Sequence, residues 1–137
     1  SASLTERNGL VSKPHFVLHV GPPKTATTYL QCGLSAISAD LAKNDHYYFV
    51  GKSCPTGNET IPNGETSIPG HHLVMGLNAN NPQSRGFEKL KERMDFHRAR
   101  GHHIIYSLEA LSNHLEDKPE TSNLFVSLFE GWNLRVV

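Results

Sequence analysis

The sequence predicts an α/β fold, a three-layer arrangement in which a mostly parallel β-sheet carries helices on both faces. Short runs rich in β-branched and aromatic residues alternate along the chain with longer segments whose apolar residues recur at helical spacing. The short runs are continuously apolar, which is typical of strands buried on both faces of a parallel sheet. Crossovers between parallel strands are right-handed, so their helices are expected to cover the sheet.

The first elements are a strand and a helix joined by a tight turn. Residues 1–14 form a polar leader, and residues 15–137 form the single domain that a chain of 137 residues allows. A strand is predicted at 15–20, because Gly21-Pro22-Pro23 interrupts the apolar run. A helix is predicted from Thr25, where hydroxyl groups can bond the free N–H groups of a first turn. Its apolar residues at helical spacing are Tyr29, Leu30, Gly33, Leu34 and Ile37.

The middle of the chain predicts a second strand, a long loop and two helices. The strand lies at 47–50, and the segment 52–69, rich in glycine, proline, asparagine and threonine, predicts a surface loop. A short helix is predicted at 71–77. A longer helix follows and should end at Gly101, a typical C-cap residue. The apolar stripe of this longer helix is Phe87, Leu90, Met94 and His97.

The last third predicts a third strand at 104–107, a helix at 119–130 and a fourth strand that begins at 134, inside which the chain stops. Ligands of parallel sheets bind beyond the carboxyl ends of the strands. The turn that follows the first strand is therefore the expected binding site.

Composition limits the classes of function. Thirteen basic residues balance thirteen acidic ones, which gives no reason to propose bulk nucleic-acid binding. No run reaches the roughly 20 apolar residues of a membrane span, and residues 1–14 lack the apolar core of a signal peptide. The two cysteines, Cys32 and Cys54, lack CxxC spacing, so a cysteine zinc site is not expected. Buried free thiols are favoured over a disulfide between them.

The turn and the helix start that follows it predict an anion site. Backbone N–H groups and threonine hydroxyls from Gly21 to Thr28 converge on one point, where a phosphate would fit. Lys24 adds a positive charge that can reach the bridging oxygen of a mixed anhydride. The competing nucleotide triphosphatase pattern, GxxxxGK[ST], requires lysine directly before the magnesium-binding Ser or Thr. Lys24 comes too early for that pattern, so a magnesium-dependent kinase or ATPase is the weaker interpretation.

The segment Pro23-Lys24-Thr25-Ala26-Thr27-Thr28-Tyr29-Leu30 resembles the 5'-phosphosulfate loop of the sulfotransferase superfamily, roughly G-x-P-K-[ST]-G-T-T-x-L. The departure is Ala26 in place of glycine, which a helical backbone would tolerate and a positive φ would strain. With His19-Val20-Gly21-Pro22 before it, the motif is most similar to bacterial and algal sulfotransferase-like proteins and to carbohydrate sulfotransferases. Detailed resemblance covers about residues 16–34, with weaker support at 104–111.

The resemblance implies a P-loop-containing nucleotide hydrolase-like fold and 3'-phosphoadenosine 5'-phosphosulfate as donor, with no metal required. The acceptor would be a hydroxyl or amine, with carbohydrate expected. The arginine and the serine that hold the 3'-phosphate in the family would follow Val137, so 15–137 would be the N-terminal part of a truncated domain. A truncated, non-catalytic nucleotide-binding module is a further alternative, and Golgi lumen and cytoplasm both remain open. The donor-binding residues would be Pro23, Lys24, Thr25, Ala26, Thr27 and Thr28, with Lys24 also assisting departure of the nucleotide.

Sulfuryl transfer needs a general base, for which the superfamily uses histidine or glutamate. His71 and then His72 are the first candidates, because they open a helix after the long loop and titrate near neutral pH. A solvated histidine pair is the structural alternative. Glu109 follows the third strand in a segment that resembles the S-x-E sequence of several sulfotransferases. It could instead stabilise the dipole of the next helix.

Three further patterns predict less. His102 and His103 are adjacent before a strand and should face opposite sides, so they are not expected to chelate one metal. The basic residues of the helix before Gly101 alternate with acidic ones, which favours a solvated face over a polysaccharide site. Asn58-Glu59-Thr60 fits the N-glycosylation pattern in the predicted loop.

Overall fold

The computed structural model describes residues 13–20, 25–51, 60–68, 70–108 and 114–137, with residues 25–31 as backbone only. The strands are β1 (His15–His19), β2 (Tyr47–Phe49), β3 (His103–Ser107) and β4 (Asn133–Val136). The helices of this described part are α1 (Thr25–Asp45), α2 (Gly70–Asn78), α3 (Arg85–Ala99) and α4 (Pro119–Leu128). Each predicted strand and helix in the described ranges is therefore confirmed, with ends shifted by a few residues.

The four strands form one sheet in the order β2-β3-β1-β4, and every pairing is parallel. β1 therefore lies inside the sheet, between β3 and β4. The backbone N–H of Val137 donates to Leu18, and that of Val20 donates to Val137, both at 2.9 Å. The predicted α/β class with a parallel sheet is confirmed.

The hydrophobic core lies against one face of the sheet. Phe16 and Leu18 of β1 and Ile104 and Tyr106 of β3 are at most 1% exposed and point to this face, as alternate residues of a strand must. Three helices cover it and supply further members of the same cluster. These are Leu73, Val74 and Leu77 of α2, Phe87, Leu90 and Met94 of α3, and Leu128 of α4.

Capping residues explain where two of these helices begin and end. Ser84 precedes α3 in an extended conformation and accepts a hydrogen bond from the backbone N–H of Phe87 at 3.4 Å. Gly101 follows α3 with φ of 72°, a conformation that glycine adopts without a Cβ clash. α4 begins at Pro119, where the missing N–H costs no helical hydrogen bond.

α1 runs for 21 residues, well beyond the apolar positions that predicted it. Its fully buried side chains in the described part are small ones, at Ser35, Ser38 and Ala42. Ile37, which belongs to the predicted apolar stripe, is 49% exposed. The helix was correctly predicted, but over residues 32–45, where side chains are described, its buried residues are small.

The segment 60–68 contains no helix or strand, as the predicted loop requires, but three of its residues, Ile61, Glu65 and Ile68, are buried. Ile61 and Ile68 are at most 2% exposed. Thr60 and Thr66 form an antiparallel bridge, and the chain turns between these two residues. The backbone N–H of Ile68 donates to the carbonyl of Val50 at 3.1 Å. The other predicted loop residues, 52–59 and 69, lie outside the described residues.

Cys32 is disulfide-bonded, so the preference for free thiols was wrong. The other cysteine of the sequence is Cys54, which lies outside the described residues. Local spacing of cysteines does not report whether one of them is bonded to a residue distant in sequence, which is why the sequence favoured the wrong state. Among the helices of the described part, none is both long and apolar enough to cross a membrane.

Candidate functional site

Two inner strands of the sheet end side by side at its carboxyl edge. β1 and β3 pair with His19 opposite Ser107. Nδ1 of His19 lies 3.1 Å from Oγ of Ser107, and the backbone N–H of Leu108 donates to the carbonyl of His19 at 2.8 Å. Because parallel sheets bind ligands beyond this edge, the crevice between β1 and β3 is the candidate site.

The predicted donor loop lies between β1 and α1 in the sequence, and its residues 21–24 lie outside the described part. Pro23 and Lys24 lie outside the described residues, so their predicted roles are untested. The backbone of Thr25, Thr27 and Thr28 forms the start of α1. A helix N-terminus presents free N–H groups and the positive end of the helix dipole. A helix start, which suits an anion, therefore follows β1 in the described backbone.

Ala26 is the departure from the sulfotransferase loop pattern, and its backbone decides whether the departure is tolerable. Ala26 lies within α1 and is helical. The non-glycine residues with positive φ in the described part are His46 and Asn80. Alanine is the residue with the highest helix propensity, so the substitution at this position adds no backbone strain.

The start of α2, which carries the two predicted base candidates, packs against the end of β3. A Cβ atom at Gly70 would overlap the side chain of Leu108 and come within 3.9 Å of Oη of Tyr106. His71 and His72 follow, both exposed, with ring centroids 4.1 Å apart. The structure therefore brings the start of α2 to the same edge as the ends of β1 and β3.

The third base candidate, Glu109, directly follows Leu108 but lies outside the described residues. Leu108 itself is 2% exposed and belongs to the core. The position of the Glu109 carboxyl group is therefore untested, and its assignment stays a prediction.

Tyr106 fixes the segment that leads into α2. Its hydroxyl is fully buried and donates to the carbonyl of Ile68 at 3.0 Å. Burial raises the pKa of Tyr106 far above its ordinary value of 10.0, because a phenolate would be poorly solvated there. The side chain is therefore a neutral hydrogen-bond donor at all physiological pH values, and it ties segment 60–68 to the sheet.

A cavity of about 250 Å³ lies between this segment and α3. Arg93 contributes to its wall, but its guanidinium lies 3.3 Å from a carboxylate oxygen of Glu65 and 3.8 Å from one of Glu92. The charge of Arg93 in this wall is thus balanced by two carboxylates. The lining residues are Thr66, Ser67, Ile68, Lys89, Glu92 and Arg93.

The sequence analysis did not single out His19 and Ser107 as a pair. His19 was noted as the residue before the donor loop and Ser107 as the end of a predicted strand. A parallel sheet aligns strand ends at one edge, so the two positions could have been combined if the pairing of β1 with β3 had been inferred. The order of strands is not readable from local periodicity.

Comparison with known proteins gives no further assignment. No protein-family model, no curated protein and no solved structure matches the chain.

Proposed function

We propose that the chain belongs to an enzyme that transfers a sulfuryl group from 3'-phosphoadenosine 5'-phosphosulfate to a hydroxyl or amine, with carbohydrate as the expected acceptor. The observation that carries the proposal is the join between β1 and α1. A motif rich in threonine starts a 21-residue helix directly beyond the carboxyl end of an inner parallel strand. That is where an anionic group is best stabilised by free backbone N–H groups and by the helix dipole.

In the proposed reaction the acceptor oxygen or nitrogen attacks sulfur while the bond from sulfur to the bridging phosphate oxygen breaks. The base takes the acceptor proton, and 3'-phosphoadenosine 5'-phosphate leaves with the electron pair of the broken bond. Lys24 offsets the charge that develops on the bridging oxygen. Thr25, Ala26, Thr27 and Thr28 hold the 5'-phosphosulfate, and Pro23 shapes the loop.

His71 is the first candidate for the base. Its support is the packing of Gly70 on Leu108, which holds the start of α2 beside the end of β3. His72 and Glu109 remain the alternatives. Positioning and electrostatic stabilisation would supply most of the rate, as in phosphoryl transfer, and the proposed step requires no metal.

The finer fold assignment is part of the same proposal. We expect three layers, with α1 on the sheet face opposite the core, as in P-loop-containing nucleotide hydrolases. Val17 of β1 and Ile105 of β3 point to that opposite face and are half-buried, which supports a cover there. α1 packs along β2 and contributes no residue to the described core cluster.

Calorimetric titration of the chain with 3'-phosphoadenosine 5'-phosphate, and separately with ATP plus magnesium, tests the proposal. We expect binding of the bisphosphate that Lys24→Ala weakens by at least tenfold. Lys43→Ala is the matched control, because Lys43 is exposed in the last turn of α1. A preference for ATP with magnesium would instead favour a P-loop kinase or NTPase.

In the complete enzyme, Lys24→Ala should abolish sulfuryl transfer while circular dichroism shows an intact fold. Near-normal turnover would remove Lys24 from the mechanism. Bisphosphate binding without turnover in any form of the protein would favour the non-catalytic nucleotide-binding module.

A further inference from the structure

Several side chains contact one another near the amino-terminal ends of β2 and β3. The proposed reaction does not use them. His97, near the end of α3, is 2% exposed. Its Nε2 donates to the carboxylate of Glu65, and its Nδ1 lies 3.1 Å from Nδ1 of His102. Its ring also stacks on Tyr48, with centroids 4.3 Å apart and an angle of 27°. These contacts connect α3 to segment 60–68, to β2 and to the residue before β3.

The contact between the two Nδ1 atoms limits how many protons the pair of rings can hold. At 3.1 Å one Nδ1 must donate and the other must accept. An imidazolium ring carries hydrogen on both nitrogens. If His97 and His102 were both charged, two N–H groups would face each other and the contact would break. The closed contact therefore accommodates at most one charged ring.

The groups around His102 are mainly basic or neutral. Its ring stacks on His46 with centroids 5.6 Å apart and on Tyr48 with centroids 4.8 Å apart. Arg100 at the end of α3 and His103 in β3 also act on its charge. On the far side, the carboxylate of Glu65 contacts Nε2 of His97 and pairs with the guanidinium of Arg93. A second positive charge at His102 therefore has no acidic partner among the groups that face it in the described part.

We propose that the His97–His102 contact is an acid-sensitive joint, closed while only one of the two Nδ1 atoms carries a proton and opened when both rings are charged. When closed, it holds the end of α3 against the amino-terminal edge of the sheet. When open, the stacked rings of His46 and Tyr48 lose their neighbour, and α3 is less firmly held. No group of three or more His, Cys, Asp or Glu side chains in the described part is arranged to hold a metal ion.

The fold disfavours the charged form of His102, and this sets the direction in which stability changes with pH. Burial, together with the charges of His97, His46, Arg100 and His103, lowers the pKa of His102 from its ordinary value of 6.5. The unfolded chain then binds more protons than the folded one below about pH 6.5, so stability falls as the pH falls. His103 has a lowered pKa for similar reasons, burial first, and adds to the loss.

The joint is linked to the candidate site through segment 60–68. His97 binds Glu65 of this segment, and Tyr106 holds the segment's other end at Ile68. The chain then enters α2 with His71. Loss of order at His97 would therefore reach the start of α2 through a short, packed stretch of backbone. This part of the inference applies whether or not the chain binds a sulfate donor.

Urea unfolding of the chain between pH 8 and pH 5 tests the joint. His102→Asn keeps a hydrogen-bonding side chain but cannot be protonated in this range. If a variant takes up one proton fewer than the wild type when it unfolds, its folding equilibrium constant changes by up to about tenfold less per pH unit. Below pH 6.5 we therefore expect the folding equilibrium constant of the wild type to fall with each pH unit by up to about tenfold more than that of His102→Asn. The matched control is His114→Asn, because His114 is exposed and its backbone carbonyl accepts the bond from Asn78.

Equal pH dependence of the wild type and His102→Asn would overturn the proposal. If the variant does not fold, nitrogen-15 NMR of the histidine rings in the wild type replaces it. We then expect the His102 ring to gain its second proton together with loss of its contact to His97. Two charged rings with the contact retained would equally overturn the proposal.

Discussion

Nδ1 of His19 lies 3.1 Å from Oγ of Ser107, and this bond joins the last residues of two neighbouring parallel strands. His19 stands directly before the connection to α1, and Ser107 directly before Leu108. The pair therefore fixes the relative position of the two chain segments that leave the sheet at the candidate site. Loss of this hydrogen bond should therefore change both the free energy of unfolding and the affinity for the donor.

Removing the Ser107 hydroxyl should loosen this edge. Ser107→Ala deletes the partner of a half-buried imidazole, which costs about 1 kcal/mol of unfolding free energy. The same energy corresponds to about a fivefold weaker affinity, so we expect the Kd for 3'-phosphoadenosine 5'-phosphate to rise up to about fivefold. Urea unfolding and calorimetry measure the two effects. Ser127→Ala is the control, because the Ser127 hydroxyl is exposed and bonds only its own helix at Leu124. An unchanged Kd would detach the pair from donor binding.

Substitution at Gly70 should separate acceptor chemistry from donor binding. A methyl group there would overlap the side chain of Leu108 and displace the start of α2 from β3. We expect Gly70→Ala to lower kcat in the complete enzyme while the Kd for the bisphosphate changes less than twofold.

The control for this experiment is Gly33→Ala in the exposed part of α1, where an added Cβ meets nothing within 4 Å. Alanine is favoured over glycine in a helix by up to about 1 kcal/mol, so this variant should be as stable as the wild type or more so. Equal kcat in both variants would show that the packing at Gly70 does not position the acceptor side.

The two histidines at the start of α2 can be distinguished by matched variants. A general base contributes about 10²- to 10⁴-fold to the rate. We expect His71→Gln to lower kcat in that range and to remove the acidic limb of the pH–rate profile, with donor affinity unchanged. His72→Gln, next to it and equally exposed, should retain most of the rate. A reversed result would assign the role to His72, and normal rates in both would favour Glu109.

The class of fold could be predicted from the sequence because alternation of apolar runs and helical spacing is a local signal. The stripe of α3 is an example, since Phe87, Leu90 and Met94 are all at most 5% exposed. The burial of His97 in that stripe was also indicated by spacing. Its partner Glu65 was not, because a side-chain contact across 32 positions depends on how the segments pack. Periodicity does not report such contacts.

The candidate site was predictable to a similar extent. The position of the donor loop follows from the rule that parallel sheets bind ligands beyond their carboxyl ends. The meeting of His19, Ser107 and the start of α2 depends on the strand order, which puts β3 beside β1 although β2 comes between them in sequence. Strand order is set by long-range packing, so a local pattern cannot supply it.

The ion pair between Glu65 and His97 gives the largest expected effect on stability. Both side chains are nearly buried, with 7% and 2% of the side chain exposed, and Arg93 contacts the same carboxylate at 3.3 Å. Removing Glu65 leaves the buried Nε2–H group of His97 without its acceptor, at a cost of about 1–3 kcal/mol. We therefore expect Glu65→Ala to lower the unfolding free energy by about that amount at pH 7.

Glu92→Ala is the matched control for this prediction, because Glu92 pairs with the same Arg93 at 3.8 Å but leaves 77% of its side chain exposed. Exposed pairs contribute about 0–1 kcal/mol, so this variant should unfold almost like the wild type.

Burial acts to raise the pKa of Glu65, but the hydrogen bond and charge of His97 and the charge of Arg93 outweigh it and lower the pKa below 4.5. The contribution of Glu65 is therefore present above about pH 4.5 and is lost as the pH falls through the lowered pKa. Urea unfolding from pH 7 to pH 3 measures the unfolding free energy of the wild type and of both variants. The values of Glu65→Ala and the wild type should converge at the acidic end. A constant difference between them would contradict a charged Glu65 in the folded protein.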